Sequence, residues 1–192
     1  MDQARLWVVV IAATGMLAAV GCSDEPNGSR NGGSGNGADA VPKEAAERGY
    51  VNRPKQFALT PPEGWVAAEN LQGSVVAFLA PEPVDGVRPN VNVVIVPATA
   101  KDIEALKEAN MAQLPQINGF KAIEQGVIDH PSGRKAFMVV YEHSMLATPI
   151  RAWYTAFLVD GREYGLTITV AASAAERYAD EARRVMDSFI AW

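Results

Sequence analysis

The stretch "TPIRAWYTAFLVDGREYGLTITVA", residues 148–171, consists of two apolar runs joined by Asp160-Gly161. Both runs are rich in β-branched and aromatic residues, which favour strands. An Asp-Gly pair supplies the positive φ angles of a tight hairpin turn. The stretch therefore predicts an antiparallel hairpin with strands at 148–160 and 162–171. Strand alternation places Trp153 and Phe157 on one face and Tyr154 and Leu158 on the other.

Upstream, "GFKAIEQGVIDH" (119–130) and "RKAFMVVYEHS" (134–144) face each other across "HPSG" and predict a second hairpin. Earlier still, "FALT" (57–60) and "WVAAE" (65–69) read as strands separated by the turn "PPEG". "VVAFLA" (75–80) is a third strand. After the Pro/Gly-rich loop "PEPVDGVRP" comes "NVNVVIVP" (90–97), apolar on both faces at Val93 to Val96 and expected to be central and covered on both sides. "PKEAAERG" (42–49) allows one or two helical turns, with Gly49 as a stop signal.

Two segments carry helical periodicity. Ile103, Leu106, Asn110 and Leu114 form one stripe with Met111 beside it, ended by Pro115; Thr99 is the expected cap, with Asp102 three residues on. Near the C-terminus, Tyr178, Ala182, Val185, Met186 and Phe189 form an apolar face after "SAAE" (173–176), which reads as a capping box. Asp180 and Arg184 are spaced to pair on the polar side. The order β-β-β-β-α-β-β-β-β-α, with its hairpins, predicts an α+β fold: a mainly antiparallel sheet covered by helices.

The chain has 192 residues, one cysteine, and a formal charge of −5 from 17 basic and 22 acidic residues. That balance argues against nucleic acid as a partner, which would call for a basic face. A single cysteine excludes any intramolecular disulfide, so burial must hold the fold. The cysteine lies in "LAAVGCSDEPNGSRNGG", after an uncharged apolar run, residues 6–20. As a helix that run would be about 22 Å long, short of the roughly 20 residues a spanning helix needs, so residues 1–21 are expected to be a signal peptide.

"AVGC" resembles the lipobox of bacterial lipoproteins. Gly21 and Cys22 match it, while Ala19 stands where Leu is preferred and Leu17 lies two residues earlier. The resemblance implies cleavage between Gly21 and Cys22 and a diacylglyceryl cysteine at Cys22, leaving the protein exported and lipid-anchored on the extracytoplasmic face of a bacterial membrane. Residues 23–40, "SDEPNGSRNGGSGNGADA", contain five Gly, three Asn and three Ser, and no aromatic or branched aliphatic residue. Such a tract cannot bury enough surface to offset its ordering entropy. With Cys22 it reads as a flexible tether (22–41) that holds a globular domain (42–192) on the order of 25 Å from the bilayer.

"TPPEGW", "NVNVVIV", the helix near 101–114, the strand pair ending in "REYGLTITV" and the C-terminal helix ending in "DSF" together resemble the PsbP-like family over roughly residues 55 to 190. That family includes the photosystem subunit P, the Ran-binding Mog proteins and bacterial lipoproteins of the LpqN/LpqT type. The resemblance implies an α/β/α sandwich and a lineage of small, mostly non-catalytic assembly or binding proteins. Neither a photosystem nor a Ran partner is implied, because the functional residues of those branches find no match here.

Motifs for chemistry fail on context. "SGRK" (Ser132 to Lys135) matches S-x-x-K, but its Ser follows Pro131 in a turn instead of opening a helix. "GSGNGA" (33–38) satisfies G-x-G-x-x-A without a strand before it or a helix after it. "NGS" (27–29) is a glycosylation sequon that a bacterial export route leaves unused. His130 and His143, the only histidines, read as solvent-facing loop residues, and no metal site or cofactor is expected. Asp160 and Glu163 flank a turn and read as solvated charge. Trp65, Trp153 and Tyr154 are either core residues or the lining of a ligand mouth between sheet and helix.

The expected function is that of a non-catalytic, lipid-anchored accessory protein of the cell envelope, acting in binding or assembly, with the membrane reached through Cys22 and an envelope protein as partner. The alternatives are a carrier of a small hydrophobic ligand and an envelope hydrolase.

Overall fold

The computed structural model describes residues 40–192. Gly21, Cys22 and the tract to residue 39, on which the signal peptide, lipid site and tether are expected, lie outside the described residues. The first element is a short helix α1, Lys43–Ala46. Strands β1 (Tyr50–Asn52) and β2 (Phe57–Leu59) follow, then β3 (Val66–Glu69), β4 (Val76–Leu79) and β5 (Asn90–Pro97). Helix α2 (Ile103–Gln113) leads into β6 (Lys121–Asp129), β7 (Lys135–Met145), β8 (Thr148–Val159) and β9 (Arg162–Ala171). Helix α3 (Ala175–Ser188) and β10 (Ile190–Ala191) complete the chain.

Seven strands form one sheet in the order β3-β4-β5-β9-β8-β7-β6, and every neighbouring pair is antiparallel. The opening hairpin is present, with Val159 opposite Arg162 and Trp153 opposite Ile168. Asp160 and Gly161 both have positive φ at its turn, as a two-residue hairpin loop requires. The 121–129/135–145 hairpin is present too, with a bulge between Ala122 and Glu124. A separate three-stranded sheet, β1-β2-β10, holds the strand expected at 57–60.

The sheet's two faces meet different layers. On one face Trp153, Phe157, Leu166, Ile168, Val91 and Phe78 pack against Ala182 and Val185 of α3 and Phe57 and Leu59 of β2. Phe189 is fully buried there, stacked on Phe157 at 5.1 Å and on Phe57 at 5.8 Å. On the other face Phe137, Val139 and Tyr141 of β7, with Ala152, Tyr154 and Ala156 of β8, meet Leu106 and Leu114. The result is the expected mainly antiparallel α+β sandwich.

Several local expectations are corrected. Helix α2 is capped by Asp102, whose Oδ1 accepts from the Ala105 N–H at 2.8 Å, and not by Thr99. Asp102 is extended and directly precedes the first helical residue, which is the geometry an N-cap needs. "SAAE" is not a capping box: Ser173 lies inside a 3-10 turn, Ala172–Ala174, and its hydroxyl donates to the Asp85 carboxylate. The N-cap of α3 is Ala174, with no side-chain bond. Arg184 pairs with Glu181 at 2.8 Å, not with Asp180. In β5 burial is complete at Asn90 to Val93 and fades to an exposed Val96, so the strand is covered on both faces only over its first half.

Candidate functional site

The α3 side of the sheet is filled mainly by apolar side chains, with Thr155 and His130 buried among them. His130, expected in solvent, is only 4% exposed, with its ring edge-on to Phe157 at 4.8 Å. Its Nδ1 lies 2.8 Å from the Ser132 hydroxyl and accepts the Ser132 backbone N–H at 3.1 Å. Its Nε2 therefore carries the proton and donates to the Met186 carbonyl at 2.9 Å, which also accepts the Phe189 N–H at the end of α3. Burial lowers the pKa of the ring, with the Met186 carbonyl and Asp187 opposing that shift. Ser132 is held by this turn, and Lys135 turns away to pair with Asp129 at 2.9 Å. The S-x-x-K pattern thus brings no serine and lysine together.

The α2 side is different, because β5 and β9 line it with polar side chains. "NVNV" (90–93) alternates so that Asn90 and Asn92 share a face, and "LTIT" (166–169) does the same for Thr167 and Thr169. The register sets Asn90 opposite Thr169 and Asn92 opposite Thr167. All four are buried. The next strand places Ala152 beside Thr169 and Tyr154 beside Thr167. Beyond them stand Tyr141, opposite Ala152, and His143, opposite Ile150. A layer of uncharged polar groups thus runs across four strands beneath the α2 side.

Some of these groups have partners. Asn92 Nδ2 donates to Asn90 Oδ1 at 3.4 Å, and the Asn90 amide donates to the Arg88 carbonyl at 3.1 Å. The Tyr154 hydroxyl donates to Glu163 Oε1 at 3.2 Å, where Asn110 of α2 also donates at 3.4 Å. Gly165 makes room for that tyrosine, since a Cβ there would lie 3.1 Å from the ring. Burial, then the Glu163 charge, raises the Tyr154 pKa. Glu163, expected as solvated charge with Asp160, is instead drawn into this network, while Asp160 stays exposed in its turn.

Other groups have no partner. Asn92 Oδ1, the Tyr141 hydroxyl and both ring nitrogens of His143 are buried without a hydrogen bond. Each such group typically costs about 1–3 kcal/mol. His143 is 3% exposed, a second correction to the solvent-facing expectation. Its ring lies 5.7 Å from that of Tyr141. Burial raises the pKa of Tyr141 and lowers that of His143, so both are neutral at pH 7. The Ser144 backbone partly opposes the His143 shift but lies outside hydrogen-bond geometry. The segment after α2 covers the pair: Phe120 packs on Tyr141 at 5.4 Å, and the Asn118 carbonyl accepts from the Ser144 N–H at 2.9 Å.

Of the three aromatic residues considered for a ligand mouth, Trp153 and Tyr154 are buried on opposite faces of β8. Trp65 is half-buried against Tyr178 of α3, at 6.2 Å. The structure does not bring the three together, because neighbouring strand residues point to opposite layers. Asn90 and Asn92 with Thr167 and Thr169 show in sequence only as the period-two polar alternation of two strands that must be known to pair, and Tyr141 and His143, on the same sheet face of β7, leave no such signal. Among the described residues no three His, Cys, Asp or Glu side chains gather as a metal site, and no helix is long and apolar enough to cross a membrane.

No protein-family model matches the chain, and no curated protein sequence matches it. Solved structures do. LpqN of Mycobacterium tuberculosis, described as involved in cell envelope biogenesis, aligns with a TM-score of 0.56 at 13% identity, over 69% of this chain and 81% of that one. The cyanobacterial PsbP of Synechocystis aligns with a TM-score of 0.54 at 16% identity, over 74% and 91%. A protein of unknown function from Pseudomonas aeruginosa aligns with a TM-score of 0.53 at 13% identity, over 71% and 98%. At these identities the likeness establishes the architecture and leaves activity open. The seven-stranded antiparallel sheet between α2 and α3 is therefore a PsbP-like fold, of the kind also found in LpqN.

Proposed function

We propose that this chain is a lipid-anchored, extracytoplasmic protein that acts in the cell envelope by binding, as an assembly or accessory factor, and not by catalysis. The observation that carries the binding role is the buried layer of neutral polar groups on the sheet face opposite α3, with Asn92 Oδ1, the Tyr141 hydroxyl and both His143 ring nitrogens left without partners. On the α3 side, Phe57, Phe157, Phe189 and Tyr164 fill the interior. That packing weighs against a carrier of a hydrophobic ligand, which would need an apolar cavity. The lipobox-like "AVGC", the glycine-rich tract after it, and a solved PsbP-like structure linked to envelope biogenesis support the location.

Anchoring is tested by metabolic labelling with a fatty acid in a bacterial host. The parent chain should carry label and fractionate with membranes. Cys22→Ser should lose the label and remain uncleaved before residue 22. Undiminished label on that variant would defeat the proposal.

A further inference from the structure

The Tyr141 hydroxyl and both ring nitrogens of His143 lie on one face of β7 without a hydrogen bond, and the stretch between α2 and β6, residues 115–120, folds back over them. The two ends of that stretch are fixed. Leu114 is fully buried, and Lys121 enters β6 opposite Glu142. Between them the attachment is thin. Among the described residues a single backbone hydrogen bond ties 115–120 to the sheet, from the Ser144 N–H to the Asn118 carbonyl at 2.9 Å. Phe120 adds an aromatic contact, on Tyr141 at 5.4 Å. Pro115, Gln116, Asn118 and Gly119 are exposed. Gly119 has a φ of +73°, and a Cβ there would lie 2.9 Å from the Ser144 hydroxyl oxygen, so the close approach depends on glycine. The closed arrangement keeps three polar atoms dry, and opening would hydrate all three.

We propose that residues 115–120 are an acid-released strap: protonation of His143 lifts them from β7 and bares the Tyr141–His143 pair to solvent. An imidazolium donates from both nitrogens, and neither has an acceptor while the strap is closed. It has no counter-ion either. Tyr141 is the titratable group beside it on β7, burial keeps that phenol neutral, and Ile150 stands opposite on β8. The strap itself carries no ionisable side chain. Helix α2, the other layer on this face, carries Glu104, Lys107 and Glu108, and none of them shifts the His143 ring. Glu142 and Arg151 pair with each other at 2.7 Å, and strand alternation puts them on the opposite face. Burial lowers the pKa of the ring under the closed strap, and opening returns it to its ordinary value of 6.5, so the open state takes up the proton first as pH falls. The open population therefore rises below that pH, by up to about tenfold per pH unit.

Amide hydrogen exchange of the full chain reads the strap directly, because the strap supplies the acceptor for the Ser144 N–H. Protection is corrected for the intrinsic pH dependence of exchange. Ser144 should be protected at least about tenfold less than Trp153 and Ile168 in the middle of the sheet, as a local opening requires. Its protection should fall about fivefold or more between about pH 7.5 and about pH 5.5. His143→Leu removes the titrating ring, and the Ser144 slope should vanish. Tyr141→Phe keeps the ring and removes one dry hydroxyl; Ser144 protection should rise about fivefold or more at every pH, with the slope kept. Persistent protection of Trp153 and Ile168 shows that a variant is folded. If His143→Leu does not fold, the slope in the parent and the rise in Tyr141→Phe decide. The proposal is overturned if Ser144 is as protected as Trp153 and Ile168, if its protection ignores pH, if its slope survives in a folded His143→Leu, or if Tyr141→Phe leaves it unmoved.

Discussion

Phe189 shows what one side chain does for this fold. It follows the last residue of α3 in extended conformation, yet its ring is fully buried between Phe57 and Phe157. Phe189→Ala should cost about 3–5 kcal/mol, as truncation of a core aromatic does. Arg183 is exposed on the outer side of α3, and Arg183→Ala should stay within about 0.5 kcal/mol. Urea melts of the two variants decide whether α3 faces the sheet as described. The histidines make a second residue-scale prediction. Burial lowers both folded-state pKa values below 6.5, so the unfolded chain takes up protons first as pH falls. Their contribution is whole above the unfolded pKa of about 6.5 and is lost as pH falls toward the folded values. The charges nearest His130 are Asp187 and Arg48, while His143 has none. Glu142, lowered by Arg151, loses its contribution only below its ordinary value of 4.5, a separate window. The urea midpoint should therefore drop as pH falls below about 6.5, and His143→Leu should flatten part of that slope. A midpoint that rises on acidification would contradict the burial of both rings.

Among the elements, the β7–β8 hairpin carries visible strain. Met145 pairs with Thr148, so Leu146 and Ala147 make a two-residue loop, and both have positive φ. That turn favours Asn and Gly, because a Cβ in the left-handed region costs roughly 1–2 kcal/mol. The Asp160-Gly161 turn has suitable residues for the same geometry. This contrast explains why one hairpin is legible in "VDGR" and the other is not legible in "MLAT": the longer strands of β7 and β8 impose the second turn on residues that do not prefer it. Ala147→Gly should raise stability by about 0.5–1 kcal/mol, the strain relieved less the entropy of glycine. Thermal melts would show it, and a destabilised Ala147→Gly would mean that the turn is not left-handed. Helix starts follow the same logic. Asp102 caps α2 because it stands next to the first turn, whereas Ser173 matches a capping pattern but gives its hydroxyl to Asp85 on a distant loop.

For the whole molecule, the three-stranded sheet closes the α3 side. Its last strand is only Ile190–Ala191, paired with Phe57 and Ala58, and the Trp192 N–H donates to the Gln56 carbonyl at 3.0 Å. Tyr164 joins the same corner through its hydroxyl, which donates to the Lys55 carbonyl at 3.1 Å. Deleting residues 190–192 would strip β2 of one neighbour and open the edge of the Phe57–Phe189 stack. The expected loss is about 2 kcal/mol from unpaired backbone groups alone, or roughly 4–8 °C in Tm for a domain of this size. An unchanged Tm after the deletion would show that the small sheet does not depend on β10.

What the sequence determined is local and periodic. Alternation with Asp160-Gly161, the 119–144 hairpin, the "NVNVVIVP" strand and the Tyr178–Val185 stripe are short-range signals, and they suffice for an α+β sandwich with α3 against a sheet. The tertiary structure decided what lies across from what. Strand order separates β2 from the main sheet, and register sets "NVNV" against "LTIT". Layer coverage buries His130 and His143, which a single sequence places in turns and strand ends. Those outcomes depend on contacts between residues far apart in the chain. Burial of a polar side chain is a property of the layer above it, and no local pattern around His143 records that Phe120 and the segment after α2 fold back over its strand.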